Sequence, residues 1–148
     1  MTLPTKRWFA AALLLTGFAA GSFVTARLMQ PEPASAASTR VYELRTYHTL
    51  PGRLPALEKR FRDHTIQLFE KHGMKNVGYW VPQDEPAHSN TLIYIISHES
   101  KEAAMKSWAA FGSDPDWKKV AAASEVDGKI VEKVDRVFMD PTDYSLLK

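Results

Sequence analysis

Apolar positions recur with more than one period along this chain. Residues 41–48 read V-Y-E-L-R-T-Y-H, rich in aromatic and β-branched side chains, and stop at the turn pair Pro51-Gly52. That pattern predicts a strand. Tyr42, Leu44, Thr46 and His48 share one face, and Val41, Glu43, Arg45 and Tyr47 share the other. Residues 53–72 then change period. Leu54, Leu57, Phe61, His64 and Leu68 recur at spacings of three and four, which predicts a helix, and Gly73 stands where a C-terminal cap belongs. Residues 76–81 (N-V-G-Y-W-V) form a second strand stopped by Pro82, and 83–90 a polar loop. Residues 91–99 form a third strand. Its nearly continuous apolar run, 92–96, suggests burial on both faces. Ser100 caps a helix over about 101–111. Asp114-Pro115 starts a further helical stretch to about Ser124, with Asp at the cap and Pro at the first helical position. Asp127-Gly128 is a turn, 129–139 a fourth strand, and 140–148 a tail.

The order β-α-β-β-α-β is a split pair of βαβ units, the ferredoxin-like pattern of an α+β fold. It places helices on one face of a four-stranded antiparallel sheet. The other face keeps Trp80 and further apolar side chains uncovered, which marks an interface. A homodimer with sheets face to face is the simplest solution.

Composition narrows the class. The 148 residues are 45% hydrophobic and 24% charged, enough for one ordinary globular domain. The absence of cysteine excludes disulfides, thiolate zinc sites, thiolate-held iron–sulfur clusters and a cysteine nucleophile. The net charge of +2 is uneven: residues 1–36 hold Lys6, Arg7 and Arg27 against Glu32, and the remainder is neutral. A neutral domain without a basic block gives no electrostatic case for nucleic acid.

The first 36 residues read as a targeting element. Lys6-Arg7 precedes 19 uncharged residues, 8–26, and Ala34-Ser35-Ala36 fits signal peptidase cleavage before Ala37. The rival reading is an uncleaved membrane anchor, since about 20 apolar residues span a bilayer. Either way the domain is expected to be exported, to the periplasm or cell envelope. Residues 37–39 are a linker, and 40–148 the domain.

Several side chains are candidates for chemistry. Glu43, Arg45 and Tyr47 share a strand face, where Arg offers a fixed donor fork to a small polar or anionic ligand. The structural alternative is an ion pair closing the fold. With Leu44 facing the helices, the trio is expected to enter the lumen between paired sheets. His64 on the helix stripe is a candidate general base or a core histidine. Trp80, Tyr94 and His98 form a candidate aromatic wall for a planar ligand. The histidines have no close metal-ligand spacing, so no metal site is expected. No P-loop, G-x-G-x-x-G, G-x-S-x-G or H-E-x-x-H occurs.

Certain motifs carry a family resemblance. They are 42–47 (Y-E-L-R-T-Y) with Pro51-Gly52, then His64, 70–73 (E-K-H-G), 77–80 (V-G-Y-W) and 114–117 (D-P-D-W). In these the chain, over 41–139, resembles the NIPSNAP family within the dimeric α+β-barrel proteins. The resemblance implies a ferredoxin-like dimer with a cavity between sheet and helix or inside the barrel. It implies no particular reaction. On the third strand the family tends toward His or Tyr, then Trp, then Tyr at alternating positions, where this chain has Tyr94, Ile96 and His98. Three functional readings stay open. The first is binding of a small molecule. The second is a cofactor-independent oxygenase or isomerase acting on a planar substrate, with a haem-handling variant that would use His64 as axial ligand. The third is an interaction module tethered to a membrane through residues 8–26.

Overall fold

A computed structural model describes residues 40–147, so the expectations for 1–36 and 37–39 lie outside the described residues. The first strand, β1, is Val41–Thr49, one residue longer than expected. Thr49 stays extended because its N–H donates to the Asn90 carbonyl at 2.8 Å. The first helix, α1, covers 54–71 in three parts: α-helical Leu54–Arg60, a π turn at Phe61–Thr65, and α-helical Ile66–Lys71. Pro55 enters in its first turn, where a missing N–H costs nothing. Gly73 ends it with φ +76°, a conformation closed to most side chains.

The π turn overturns one expectation. Periodicity put His64 on the buried stripe beside Phe61. A π turn holds one residue more than an α turn, which carries the phase of the helix forward by one position. Thr65 is therefore buried, its hydroxyl donating to the Arg60 carbonyl at 3.1 Å, and His64 faces solvent.

Strand β2 is Lys75–Trp80, β3 Thr91–His98 and β4 Val131–Met139. Helix α2 is Lys101–Ser113, capped by the Ser100 hydroxyl, which accepts from the Ala103 N–H at 3.0 Å. Helix α3 is Pro115–Ser124, capped by Asp114. The sheet order is β2-β3-β1-β4, antiparallel throughout, as the ferredoxin-like pattern requires.

The helices cover one sheet face. Leu57, Phe61, Leu68, Phe69 and Phe111 pack there against Leu92, Tyr94 and Ile96. The opposite face carries Leu44, Ile93, Ile95, Val137 and Trp80; Ile93 and Ile95 are half-buried, so β3 is not covered equally on both faces. Among the described residues no helix is long and apolar enough to cross a membrane.

The more apolar set on β1, Tyr42 and Leu44, was expected to face the helices, and Glu43, Arg45 and Tyr47 the open side. The structure has the reverse. Glu43 is fully buried, and Trp108 on α2 reaches it with its indole N–H. The charged pair faces inward because the helix layer and β3 supply donors for the carboxylate and an aromatic face for the guanidinium.

Candidate functional site

The charged cluster is built from alternate residues of two central strands and one helix. Register pairs Glu43 with Ile96 and Arg45 with Tyr94, so Glu43, Arg45, Tyr94 and His98 share a face. Glu43 Oε1 accepts from Arg45 Nη1 at 2.8 Å. Its Oε2 accepts from His98 Nε2 at 2.8 Å and from Trp108 Nε1 at 2.7 Å. The Arg45 guanidinium lies 4.1 Å from the centre of the Trp108 ring and 5.5 Å from that of Tyr47, a geometry that stabilises a cation. Burial alone would raise the Glu43 pKa. Hydrogen bonds from His98, Trp108 and Arg45 outweigh it and hold the carboxyl below its usual range. An ionised carboxylate only accepts, so His98 carries its proton on Nε2.

Both Glu43 oxygens are thus occupied. Glu43 thereby positions Arg45, His98 and Trp108. Three other polar atoms in this layer are buried without a partner: Arg45 Nε, the Tyr94 hydroxyl and His98 Nδ1. Each such atom costs about 1–3 kcal/mol. Burial pushes the Tyr94 hydroxyl well above its ordinary pKa, so it remains a donor at neutral pH. Burial acts likewise on Tyr79, which stacks on Tyr94 with centroids 5.3 Å apart.

The π turn places Phe61 at the centre of these rings, 5.8 Å from Tyr47, 5.7 Å from Tyr79 and 5.2 Å from Tyr94. On the far side of Phe61 and Tyr79 lies a groove of about 220 Å³ lined by these two, Ile66 and Leu92, with Glu58 and Arg62 at its rim. A planar ring entering it meets Phe61 and Tyr79, with Arg62 at the rim.

The structure brings together Glu43, Arg45, Tyr47, Tyr94 and His98. It separates two candidates from them. Trp80 does not join Tyr94 and His98 in one wall. It pairs in register with Ile93 on the open face and is half exposed. It covers Gly78, where an added Cβ would come within 2.6 Å of the indole. His64 lies across α1, in a separate groove that also holds Lys59, Asp63 and Asp116. Trp108 and Phe61 are the site residues that sequence reasoning did not single out. The signal for Trp108 was weak: an indole N–H must find an acceptor when buried, and Glu43 was a candidate. Among the described residues no three His, Asp or Glu side chains are grouped to hold a metal ion.

Other motif residues serve the frame. Asp114 Oδ1 accepts from the Asp116 N–H at 2.7 Å, while Oδ2 binds His72 Nε2 at 2.6 Å and Lys71 Nζ at 2.9 Å. Lys71 first, then His72, hold the Asp114 carboxyl far below its usual range. The 70–73 and 114–117 motifs thereby clamp the end of α1 to the start of α3. Trp117 packs on Phe111 at 4.5 Å.

Fold and site together define a ferredoxin-like α+β domain with a polar cluster buried between sheet and helices. Over residues 42–146 the sequence matches the NIPSNAP family, and the chain belongs to it. It is similar to a NIPSNAP family protein of unknown function from Agrobacterium tumefaciens, with 27% identity, 74% of this chain and 94% of that chain covered, and a TM-score of 0.64. A NIPSNAP-like domain protein from Burkholderia xenovorans superposes with a TM-score of 0.62 at 16% identity, over 73% and 90% of the two chains. A monooxygenase from the gene ActVA-Orf6 of Streptomyces coelicolor shares the fold at 16% identity, with a TM-score of 0.51 over 73% and 92%. No curated protein matches the chain.

Proposed function

We propose that this domain binds a small planar ligand bearing an anionic or carbonyl oxygen, in the layer between sheet and helices. One observation carries the reading. Arg45 Nε, the Tyr94 hydroxyl and His98 Nδ1 are buried without partners in one aromatic layer, beside a groove lined by Phe61 and Tyr79. Buried polar groups without a partner are uncommon, and each calls for an explanation. Rings of the ligand stack on Tyr79 and Phe61, and its oxygen meets Arg45 and Tyr94. The Streptomyces coelicolor monooxygenase was solved with the ligand nanaomycin D, which supports a ligand-holding role for the fold. The proposal includes a homodimer joined through the open sheet face, and export of the chain with a mature start at or near Ala37, checked by N-terminal sequencing.

The test uses 2-naphthoate as probe, read by quenching of intrinsic fluorescence. Saturable binding is expected. Tyr94→Phe removes one donor without a change of shape and should weaken it about tenfold, as a hydrogen bond to a charged group of about 1.5 kcal/mol requires. Arg45→Ala should abolish it. Binding unchanged by both substitutions would overturn the reading. The unpaired His98 Nδ1 favours a second reading, proton abstraction from a bound hydroxyl, in which His98→Gln spares binding but leaves a phenolic probe protonated.

A further inference from the structure

A second groove lies between α1 and α3, apart from the Arg45 layer, and encloses about 600 Å³. That volume falls within the range of small-molecule sites, about 300–1,000 Å³. Ala56, Val120 and Ala123 give it an apolar wall. His64, turned outward by the π turn, lines it on the α1 side.

Arg60 decides what such a groove would hold. Its side chain is only 5% exposed. Nη1 reaches Ser124 Oγ at 3.2 Å and Glu125 Oε1 at 3.4 Å, both long for charge-assisted bonds. Nε is buried with no partner. A buried guanidinium is costly unless a close anion and further acceptors satisfy it. Glu125 is a poor one, because it is 37% exposed and also accepts from the Ile130 N–H at 3.3 Å. The remaining lining charges nearly cancel. Asp63 is bound by Lys59 at 2.5 Å and Asp116 by Lys71 at 2.9 Å, while Lys119 offsets Asp127. The Trp117 ring, 5.3 Å from the guanidinium, and the long contact to Glu125 satisfy Arg60 in part, and Nε is left for a further acceptor.

The π turn begins at the residue after Arg60, and the Arg60 carbonyl accepts from Thr65 across it. Such turns are rare and are frequent at functional sites. Here it buries Arg60 and exposes His64, four residues on, so that both line the same groove.

We infer that this groove binds an amphipathic carboxylate. The head group meets the Arg60 guanidinium beside His64, and the alkyl chain lies along Ala56, Val120 and Ala123. The site is independent of the Arg45 layer.

Sodium octanoate is the probe, titrated into the protein and read by calorimetry and by the His64 imidazole resonances. Saturable binding that shifts His64 is expected, with octanamide at least tenfold weaker because it lacks the charge. Arg60→Lys keeps the charge, loses the fork and should weaken octanoate about tenfold. Ala123 is exposed, so Ala123→Trp fills the groove without disturbing the core and should abolish binding at an unchanged melting temperature. Arg45→Ala, which removes 2-naphthoate binding, should leave octanoate binding as it was. The inference fails if octanamide binds as well as octanoate, if no binding saturates, or if Ala123→Trp still binds while Arg45→Ala does not.

Discussion

At the scale of single residues, Glu43 is the hinge of the buried cluster. Its two oxygens take three donors from β1, β3 and α2, and none of it reaches solvent. Removing it would leave the Arg45 guanidinium without its anion and the Trp108 N–H without its acceptor. Breaking a buried pair from one side costs about 3–5 kcal/mol. Glu43→Ala should therefore lower stability by about that amount, measured by urea unfolding. His64→Ala is the contrast. His64 is exposed and touches no part of the core, so its loss should change stability by less than about 0.5 kcal/mol. A large effect there would mean that the imidazole is packed after all.

At the scale of elements, the clamp between α1 and α3 has a pH signature. The Asp114 carboxyl is held far below its unfolded value by Lys71 and His72. A depressed carboxylate contributes stability that is present above its unfolded pKa, about 4, and is lost as pH falls through the folded value. Glu43 acts with the same sign. Stability should thus fall steeply below about pH 4. Asp114→Asn should flatten that acid limb and lower stability at neutral pH, while still capping α3 through its amide oxygen. Thermal unfolding between pH 3 and pH 7 checks both. An acid limb identical to that of the parent would exclude Asp114 as its source.

At the scale of the whole molecule, one sheet face is covered by helices and the other is not. Trp80 and Val137 are each about half exposed there, beside Leu44, Ile93 and Ile95. A second copy packed against this face would bury on the order of 1,200–2,000 Å² in all. Light scattering at low micromolar concentration should give twice the monomer mass. Val137→Glu, on the exposed face and away from the core, should give a folded monomer. A monomer without the substitution would sink the face-to-face assembly.

The order of elements was legible in the sequence alone. Local period, turn residues and caps are properties of neighbouring positions. Pro51-Gly52, Gly73, Ser100 and Asp114-Pro115 therefore marked the boundaries correctly, and β-α-β-β-α-β leaves few topologies. Arg45, Tyr47, Tyr94 and His98 were also legible as candidates, from side-chain type and strand alternation.

Which way those side chains point was decided only by the tertiary structure. Alternation divides a strand into two sets but does not say which set faces the helices. By local hydrophobicity Leu44 belonged inward. Trp108, 65 residues away, turns Glu43 inward instead by accepting the role of donor to its carboxylate. His64 escaped for a related reason. Its phase depended on a π turn, held by Thr65 against Arg60 and by the packing of Phe61 on three tyrosines, and the spacing of apolar residues carries no trace of it. Sequence determines what is local. The burial of a charge is settled by partners that only the fold brings near.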